Sequence, residues 1–283
     1  MKISQKTSLS ESVLTAMRDV SARVIMPLYN NLSKNDVRAK NHSGGLVTVA
    51  DEKAEIELNL VLKSLLPGSQ CIGEESVSKT PNLIKTLNSD DPIWVIDPID
   101  GTSNYVNGRP KFAVMISLLH GGETVMGWIY NPISDSSLRA EQGEGAWTTQ
   151  GGDEVRRLKI PPESSGSSSL SNMVAELHHP DFKPYKKKFG SIVRMGSAAH
   201  DYWALSDGRL QILSYRRLEP WDHAAGVLIH SEAGGYNRLL SGDNYNPCTP
   251  NQSGLLCAPN AHIWAKVLKL TNYNMRGYDV RKP

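Results

Sequence analysis

Apolar residues recur at steps of three and four from Leu9 through Val13, Met17, Val20, Val24 and Leu28. That spacing predicts an amphipathic helix over 8–32. A polar stretch over 33–45, ending in Gly44-Gly45, reads as a mobile loop. A second stripe, Ala54, Leu58, Val61, Leu62 and Leu65, predicts another helix. Thr48-Val49-Ala50-Asp51 opens it as a capping box with Asp where Glu is usual, and Pro67-Gly68 stops it. Cys71-Ile72-Gly73 reads as a short strand leading into Glu74-Glu75. A polar helical stretch follows, and then Ile93-Trp94-Val95-Ile96, an unbroken apolar run, reads as a buried strand. Two long strands, 112–119 and 124–130, flank the turn His120-Gly121-Gly122-Glu123 and predict a hairpin.

More short strands are expected over 136–160. The Ser/Gly-rich segment 164–171 reads as an internal linker. Beyond it the pattern alternates. Strands are predicted at 173–177, 192–194, 210–213 and 255–258. Helices are predicted over 181–189, from the Ser197 cap to 205, from Glu219-Pro220-Trp221-Asp222, and after Asn260. The tail from 271 is polar and reads as loosely held. No internal repeat is visible. The expectation is one compact domain over 1–283 of layered helices and sheets. Its sub-halves are about 1–160, carrying the long antiparallel strands, and 161–283, of α/β type.

Composition narrows the class. Of 283 residues, 39% are apolar and 21% charged, which excludes a disordered chain. The 31 Lys and Arg nearly balance the 29 Asp and Glu, so charge does not point to nucleic acid. Lys186-Lys187-Lys188 is the one basic run. No apolar stretch approaches the roughly 20 residues of a membrane span. The N-terminus lacks the apolar core of a signal peptide. Three cysteines, Cys71, Cys248 and Cys257, without Cys-x-x-Cys spacing, read as reduced thiols of a cytoplasmic protein.

The chemistry concentrates at Asp97-Pro98-Ile99-Asp100-Gly101-Thr102. A buried strand ends in a carboxylate, turns, places a second carboxylate and continues through Gly and Thr. If a helix starts there, its first N–H groups suit an anion. An anion site flanked by acids makes electrostatic sense when cations lie between them, so the arrangement implies metal bridging to phosphate. Asp97, Asp100, Glu74 and the distant Asp222 are hard oxygen donors, which suit Mg²⁺ or Mn²⁺ over zinc. Two such ions about 3.5–4 Å apart can hold both the attacking and the leaving oxygen of a phosphoryl displacement.

Each fragment also has a plain structural reading. Asp-Pro-x-Asp-Gly is an ordinary turn sequence. Glu74-Glu75 can be a solvated acidic pair, and Asp222 a residue favoured by a helix dipole. Asp51 can be an N-cap partner, and Thr102 a cap hydroxyl. The joint occurrence is what favours a site.

The assembled pattern resembles the inositol monophosphatase family. The segments are Gly73-Glu74-Glu75-Ser76, then Trp94 through Tyr105 (WVIDPIDGTSNY), then Pro220-Trp221-Asp222-His223-Ala224-Ala225-Gly226 with Glu232-Ala233-Gly234-Gly235. Val47 through Asp51 and Arg194 through Ala199 are also similar to family segments. Order and spacing match over nearly the whole chain, nearest to the bacterial extragenic-suppressor (SuhB-type) branch. The resemblance implies the layered αβαβα sandwich of the Mg-dependent, Li-sensitive sugar phosphatases. It implies hydrolysis of inositol 1-phosphate or a similar polyol or sugar monophosphate by a metal-activated water.

The implied roles follow residue by residue. Glu74, Asp97 and the Ile99 carbonyl would hold a first Mg²⁺, and Asp97, Asp100 and Asp222 a second. A third ion would lean on Glu74, and Mn²⁺ is a possible substitute. Thr102, backed by Asp51, and Glu74 would orient and deprotonate the water. Gly101 and Thr102 would bind phosphate, and Gly196, Ser197 and Ala198 would line the substrate side. Many family members carry a Glu seven residues before the Pro-Trp-Asp aspartate, on an inositol hydroxyl. Here that position is Tyr215, followed by Arg216 and Arg217. A substrate with a second anionic group would suit those arginines, although two solvated arginines on a strand edge are the plainer reading. Fructose 1,6-bisphosphate, histidinol phosphate and 3′-phosphoadenosine nucleotides are rival substrates. Family habit adds a homodimer, Li⁺ inhibition and, in some SuhB-type relatives, association with RNA polymerase and antitermination factors.

Overall fold

The computed structural model describes residues 3–40, 45–151, 154–160, 169–249 and 252–271. The first apolar stripe forms α1 (Ile3–Val20), continued by a π turn (Ser21–Ile25) and a 3-10 turn (Met26–Leu28). The helix predicted over 8–32 therefore ends early. Pro27 has no N–H to give, so the α ladder cannot run through it. The predicted loop over 33–45 is partly ordered. Ser33 caps a turn at Lys34–Asp36, and β1 (Val37–Ala39) pairs antiparallel with β2 (Leu46–Thr48). The Gly44-Gly45 end of that loop reaches into residues 41–44, which lie outside the described residues. The capping box is present at α2 (Val49–Leu65): Thr48 Oγ1 accepts from the Ala50 N–H, and Asp51 accepts from the Thr48 N–H at 2.8 Å.

Next come β3 (Gln70–Gly73), α3 (Glu74–Lys79), β4 (Ile93–Asp100) and α4 (Thr102–Val106). The predicted hairpin is β5 (Ala113–His120) and β6 (Glu123–Asn131), and β7 (Ser136–Glu141), β8 (Gly145–Gln150) and β9 (Glu154–Arg157) extend it. These seven strands lie in sequence order as one sheet, with β3 parallel to β4 and every other neighbouring pair antiparallel.

The remaining elements are β10 (Val174–Leu177), β11 (Ser191–Ile192), α5 (Ala198–Ser206), β12 (Ile212–Tyr215), α6 (Pro220–Glu232), β13 (Tyr236–Leu239), β14 (Leu255–Ala258) and α7 (Ala261–Leu268). The strands form a second sheet in the order β11-β10-β12-β14-β13. The helix predicted over 181–189 is a 3-10 segment, Pro180–Lys188, because Pro184 inside it withholds an α-type donor. The strand predicted at 192–194 shortens to Ser191–Ile192, and that at 210–213 shifts to Ile212–Tyr215. β13 had no strand prediction. Of the predicted linker, residues 164–168 lie outside the described residues, as does the tail from residue 272.

Alternation along β5 stacks the layers. Val114, Ile116 and Leu118 join α1 and α2 in one core, while Ala113 and Met115 join α5 and α6 in another. The second core also takes in Leu213, Leu255 and Cys257 of the five-stranded sheet. The far face of that sheet, through Ala175, Ile212 and Leu256, packs on Trp264, Val267 and Leu268 of α7. The order α1/α2, sheet, α5/α6, sheet, α7 is the expected αβαβα sandwich.

Candidate active site

The site is assembled where β3 and β4 end. The two are parallel, with Gly73 opposite Ile96, so the next residues, Glu74 at the start of α3 and Asp97 within β4, follow at the same edge. Asp97 and Asp100 are three residues apart, and in a regular strand they would face opposite sides. The register slips between them: Asp97 pairs with Met115 and Asp100 with Ala113. This β-bulge around Pro98-Ile99 turns both carboxylates to one side. Asp222 enters from the first turn of α6, whose Trp221 and Ala224 pack against Ile72, Val95 and Leu119. One carboxylate oxygen each from Asp97, Asp100 and Asp222 lies within 4.8 Å of the others.

Three acids so close in a buried place repel one another. Burial first, then the charge of Glu74 and the neighbouring aspartates, push Asp97 and Asp222 well above the usual carboxylate range. Asp100 is pushed up to about 6, also by burial foremost. Its rise is held back by three donors from the start of α5. Ser197 Oγ bonds Oδ2, the Ala198 N–H bonds Oδ1 at 3.0 Å and the Ala199 N–H bonds Oδ2 at 2.9 Å. A cluster of hard oxygen donors with unneutralised negative charge fits a divalent cation such as Mg²⁺ or Mn²⁺.

Glu74 stands beside this trio but is not part of its close contact. Its carboxylate pairs with the ammonium of Lys40, which also lies 2.8 Å from Glu75. The Lys40 side chain is only 3% exposed. Burial pulls the Lys40 pKa down, but the charges of Glu74 and Glu75 outweigh it and the net shift is upward. Glu55 secures this corner from below, accepting the Glu75 N–H at 2.7 Å and the Ser76 N–H at 2.8 Å. A Cβ on residue 73 would fall 2.1 Å from the Glu55 carboxyl carbon, so only glycine fits there.

Thr102 Oγ1 lies 3.2 Å from Asp51 Oδ1 and 3.0 Å from the Ile99 carbonyl, two acceptors for its one proton. Asp51 is fully buried, and burial lifts it to about 6 against the pull of its Thr48 hydrogen bonds. Gly101 caps α4 with φ of 84°, where a Cβ would also come within 2.8 Å of the Lys111 carbonyl. Gly196 is exposed, whereas Ser197 and Ala198 are buried and occupied with Asp100.

The sequence matches the inositol monophosphatase family model over residues 7–275. The chain belongs to the inositol monophosphatase family. This is a phosphatase family. The inositol-1-monophosphatase of Bacillus subtilis is 27% identical over 265 residues, covering 90% of this chain and 94% of that one. A putative Nus factor SuhB of Neisseria meningitidis serogroup B is 29% identical, covering 84% and 87%. The solved structure of a Thermotoga maritima IMPase superposes with a TM-score of 0.74 at 26% identity, covering 92% of this chain and 94% of that one.

Within this inositol monophosphatase family member, Tyr215 does not offer a free hydroxyl. Its O–H donates to Asp201, and its ring stacks on His178 with centroids 4.5 Å apart. His178 Nε2 lies 3.1 Å from both Glu176 and Asp201. Burial works against its charge, but the two carboxylates raise it to about 9. The sequence reading missed Lys40, Glu55, Glu176, His178 and Asp201. Glu55 was within reach, one helical turn after Asp51 on the buried stripe of α2. Glu176 interrupts an apolar strand, which is a second signal. Lys40 carries none.

Proposed function

We propose that this phosphatase hydrolyses the phosphomonoester of a small polyol or sugar, inositol 1-phosphate or a similar compound. The observation that carries this is the convergence of Asp97, Asp100 and Asp222 on one point beside Glu74. These four carboxylates and the Ile99 carbonyl would hold two to three Mg²⁺ ions, with Mn²⁺ a substitute. Bound there, the ions supply positive charge for phosphate oxygens and make water a better nucleophile.

The chain's own groups do the rest. Thr102 Oγ1 orients the attacking water, and its contact with Asp51 makes Asp51 Oδ1 the next station for a proton. Glu74 is the second acceptor at that edge. Gly101 and Thr102 present backbone N–H groups to the phosphate, and Gly196 lines the substrate side. Ser197 and Ala198 contribute by fixing Asp100. The Tyr215 ring stacks on His178, and its hydroxyl is spent on Asp201. The test is a phosphate-release screen over polyol, sugar and nucleotide monophosphates with and without Mg²⁺. We expect release from polyol or sugar esters that needs Mg²⁺ and is inhibited by Li⁺. No metal-dependent release from any ester overturns the reading.

The likeness to a putative Nus factor SuhB supports a second role, association with RNA polymerase and antitermination factors; a homodimer is a separate proposal. A polymerase pull-down with wild type and Asp97→Asn separates this role from catalysis. Equal capture by both supports it, and no capture by wild type removes it.

A further inference from the structure

A crevice of about 930 Å³ opens beside the acidic cluster. It runs between the turn at Pro81–Asn88, the segment joining β12 to α6, and residues 179–181, 247–249 and 252–253. Asp97, Asp100 and Asp222 do not line it, but it reaches them through Glu219 and Pro220, the residues just before Trp221 and Asp222. Its size suits a small ligand, for which pockets of roughly 300–1,000 Å³ are usual.

The charges on its walls are what give it a preference. Lys85, Arg216 and Arg217 all face it and are exposed. Arg18, Arg23, Arg38, Arg139 and Arg209 are each paired with a carboxylate. Arg216 and Arg217, by contrast, make no ion pair or side-chain hydrogen bond among the described residues. Their placement is nonetheless defined. Burial first, and Arg216 against the pull of Asp181, keep His179 below its ordinary pKa, so Arg216 lies by His179. The Glu219 carboxyl is raised by burial foremost, while it feels Arg217 on one side and Glu74 on the other. Glu219 thus stands between the basic crevice and the acidic cluster. It also discourages a polyanion from filling the whole groove, since Glu219 and Asp181 both line it.

We infer that Arg216 and Arg217, with Lys85 across the crevice, form a subsite for a second anionic group of the substrate, a phosphate or a carboxylate remote from the ester that is cleaved. Resting on the phosphatase reading above, this narrows the substrate to a phosphomonoester with two separated anions. Planar guanidinium groups bind either anion by paired charge-assisted hydrogen bonds. A neutral polyol phosphate leaves them to solvent.

The test compares wild type with the Arg216→Ala/Arg217→Ala double variant on three esters with Mg²⁺. Inositol 1-phosphate carries one anionic group, fructose 1,6-bisphosphate a second phosphate, and 3-phosphoglycerate a carboxylate. A parallel calorimetric titration adds inorganic phosphate to the chelator-treated protein. The subsite predicts that the double variant loses at least about tenfold more kcat/KM on a two-anion ester than on inositol 1-phosphate. It also predicts a loss of phosphate affinity of similar size. Which two-anion ester suffers tells phosphate from carboxylate. Equal losses on all three esters with unchanged phosphate binding overturn the subsite and leave the phosphatase reading standing. Arginine-dependent phosphate binding without hydrolysis of any ester does the reverse.

Discussion

The ammonium of Lys40 is seated on the carboxylate of Glu74, joining the β1–β2 hairpin to the edge where β3 and β4 end. It is a built-in cation beside a cluster that has three other acids and no counter-charge of its own. If Glu74 holds metal as proposed, Lys40 competes for it, and the same ammonium works against the burial that raises the Glu75 pKa.

Replacing it tests that competition. In Lys40→Met, Glu75, already raised to about 8 by burial and by the charge of Glu74, loses its partner. Removing one member of a buried ion pair costs about 3–5 kcal/mol. Urea unfolding of the metal-free protein should show a loss of that order. Glu74 is freed at the same time, so half-maximal activity should need several-fold less Mg²⁺. An unchanged Mg²⁺ requirement would show that Lys40 and the ions do not share Glu74.

Asp97→Asn and Asp222→Asn should act in opposite directions on stability and on catalysis. Both carboxyls have folded pKa values raised above the unfolded ones, so at neutral pH their ionisation opposes folding. Removing one charge should stabilise the metal-free protein by about 1–3 kcal/mol. Mg²⁺-dependent phosphate release should fall by about a thousandfold or more. Thermal melts and turnover assays check both arms, and near-normal turnover in either variant contradicts the assignment.

Thr102→Val keeps the shape and deletes the hydroxyl that bridges Ile99 and Asp51. Stability should change by only about 1 kcal/mol, the ordinary worth of one hydrogen bond. Turnover should fall by roughly a hundredfold or more, the usual range for losing a proton-handling group. The fall should appear in kcat with KM little altered.

The Glu176–His178–Asp201 cluster sets a pH dependence away from the Asp97–Asp100–Asp222 trio. His178 has its folded pKa raised to about 9, so the stability it contributes is full below pH about 6.5 and is lost as pH rises through about 9. Asp201, raised to about 8 mainly by burial, also binds a proton in the folded state that the unfolded chain has released. Both groups make stability fall as pH climbs over this range. His178→Gln should flatten the fall between pH 6.5 and 9, by on the order of 1–2 kcal/mol in denaturant midpoints.

Much of the fold was legible because its signals are local. The Thr48–Asp51 box, the Ser197 cap and the alternation along β5 all state their structure within a few residues. The convergence of the acids was legible through motif resemblance alone. What produces it physically, the one-residue slip between Asp97 and Asp100, depends on pairing with β5 and has no local mark beyond Pro98. Lys40 was hidden for the same reason: an isolated lysine after a short edge strand becomes informative once the hairpin is folded onto Glu74. Tyr215 was singled out as a departure, but its hydroxyl is engaged by Asp201, 14 residues earlier, through a contact that only tertiary packing sets. Pro27, in the 3-10 turn after α1, and Pro184, inside a 3-10 segment in place of an α-helix, are local signals that the apolar pattern alone does not carry.

The proposed chemistry stands or falls on whether Asp97, Asp100 and Asp222, with Glu74 at their side, trap divalent ions. Anomalous diffraction from crystals grown with Mn²⁺ tests it most directly. Mn²⁺ peaks are expected within the bounds of Asp97, Asp100 and Asp222, with a further peak next to Glu74 and the Lys40 ammonium displaced from it. Mn²⁺ bound only at Glu176, His178 and Asp201, or absent from both clusters at millimolar concentration, would contradict it.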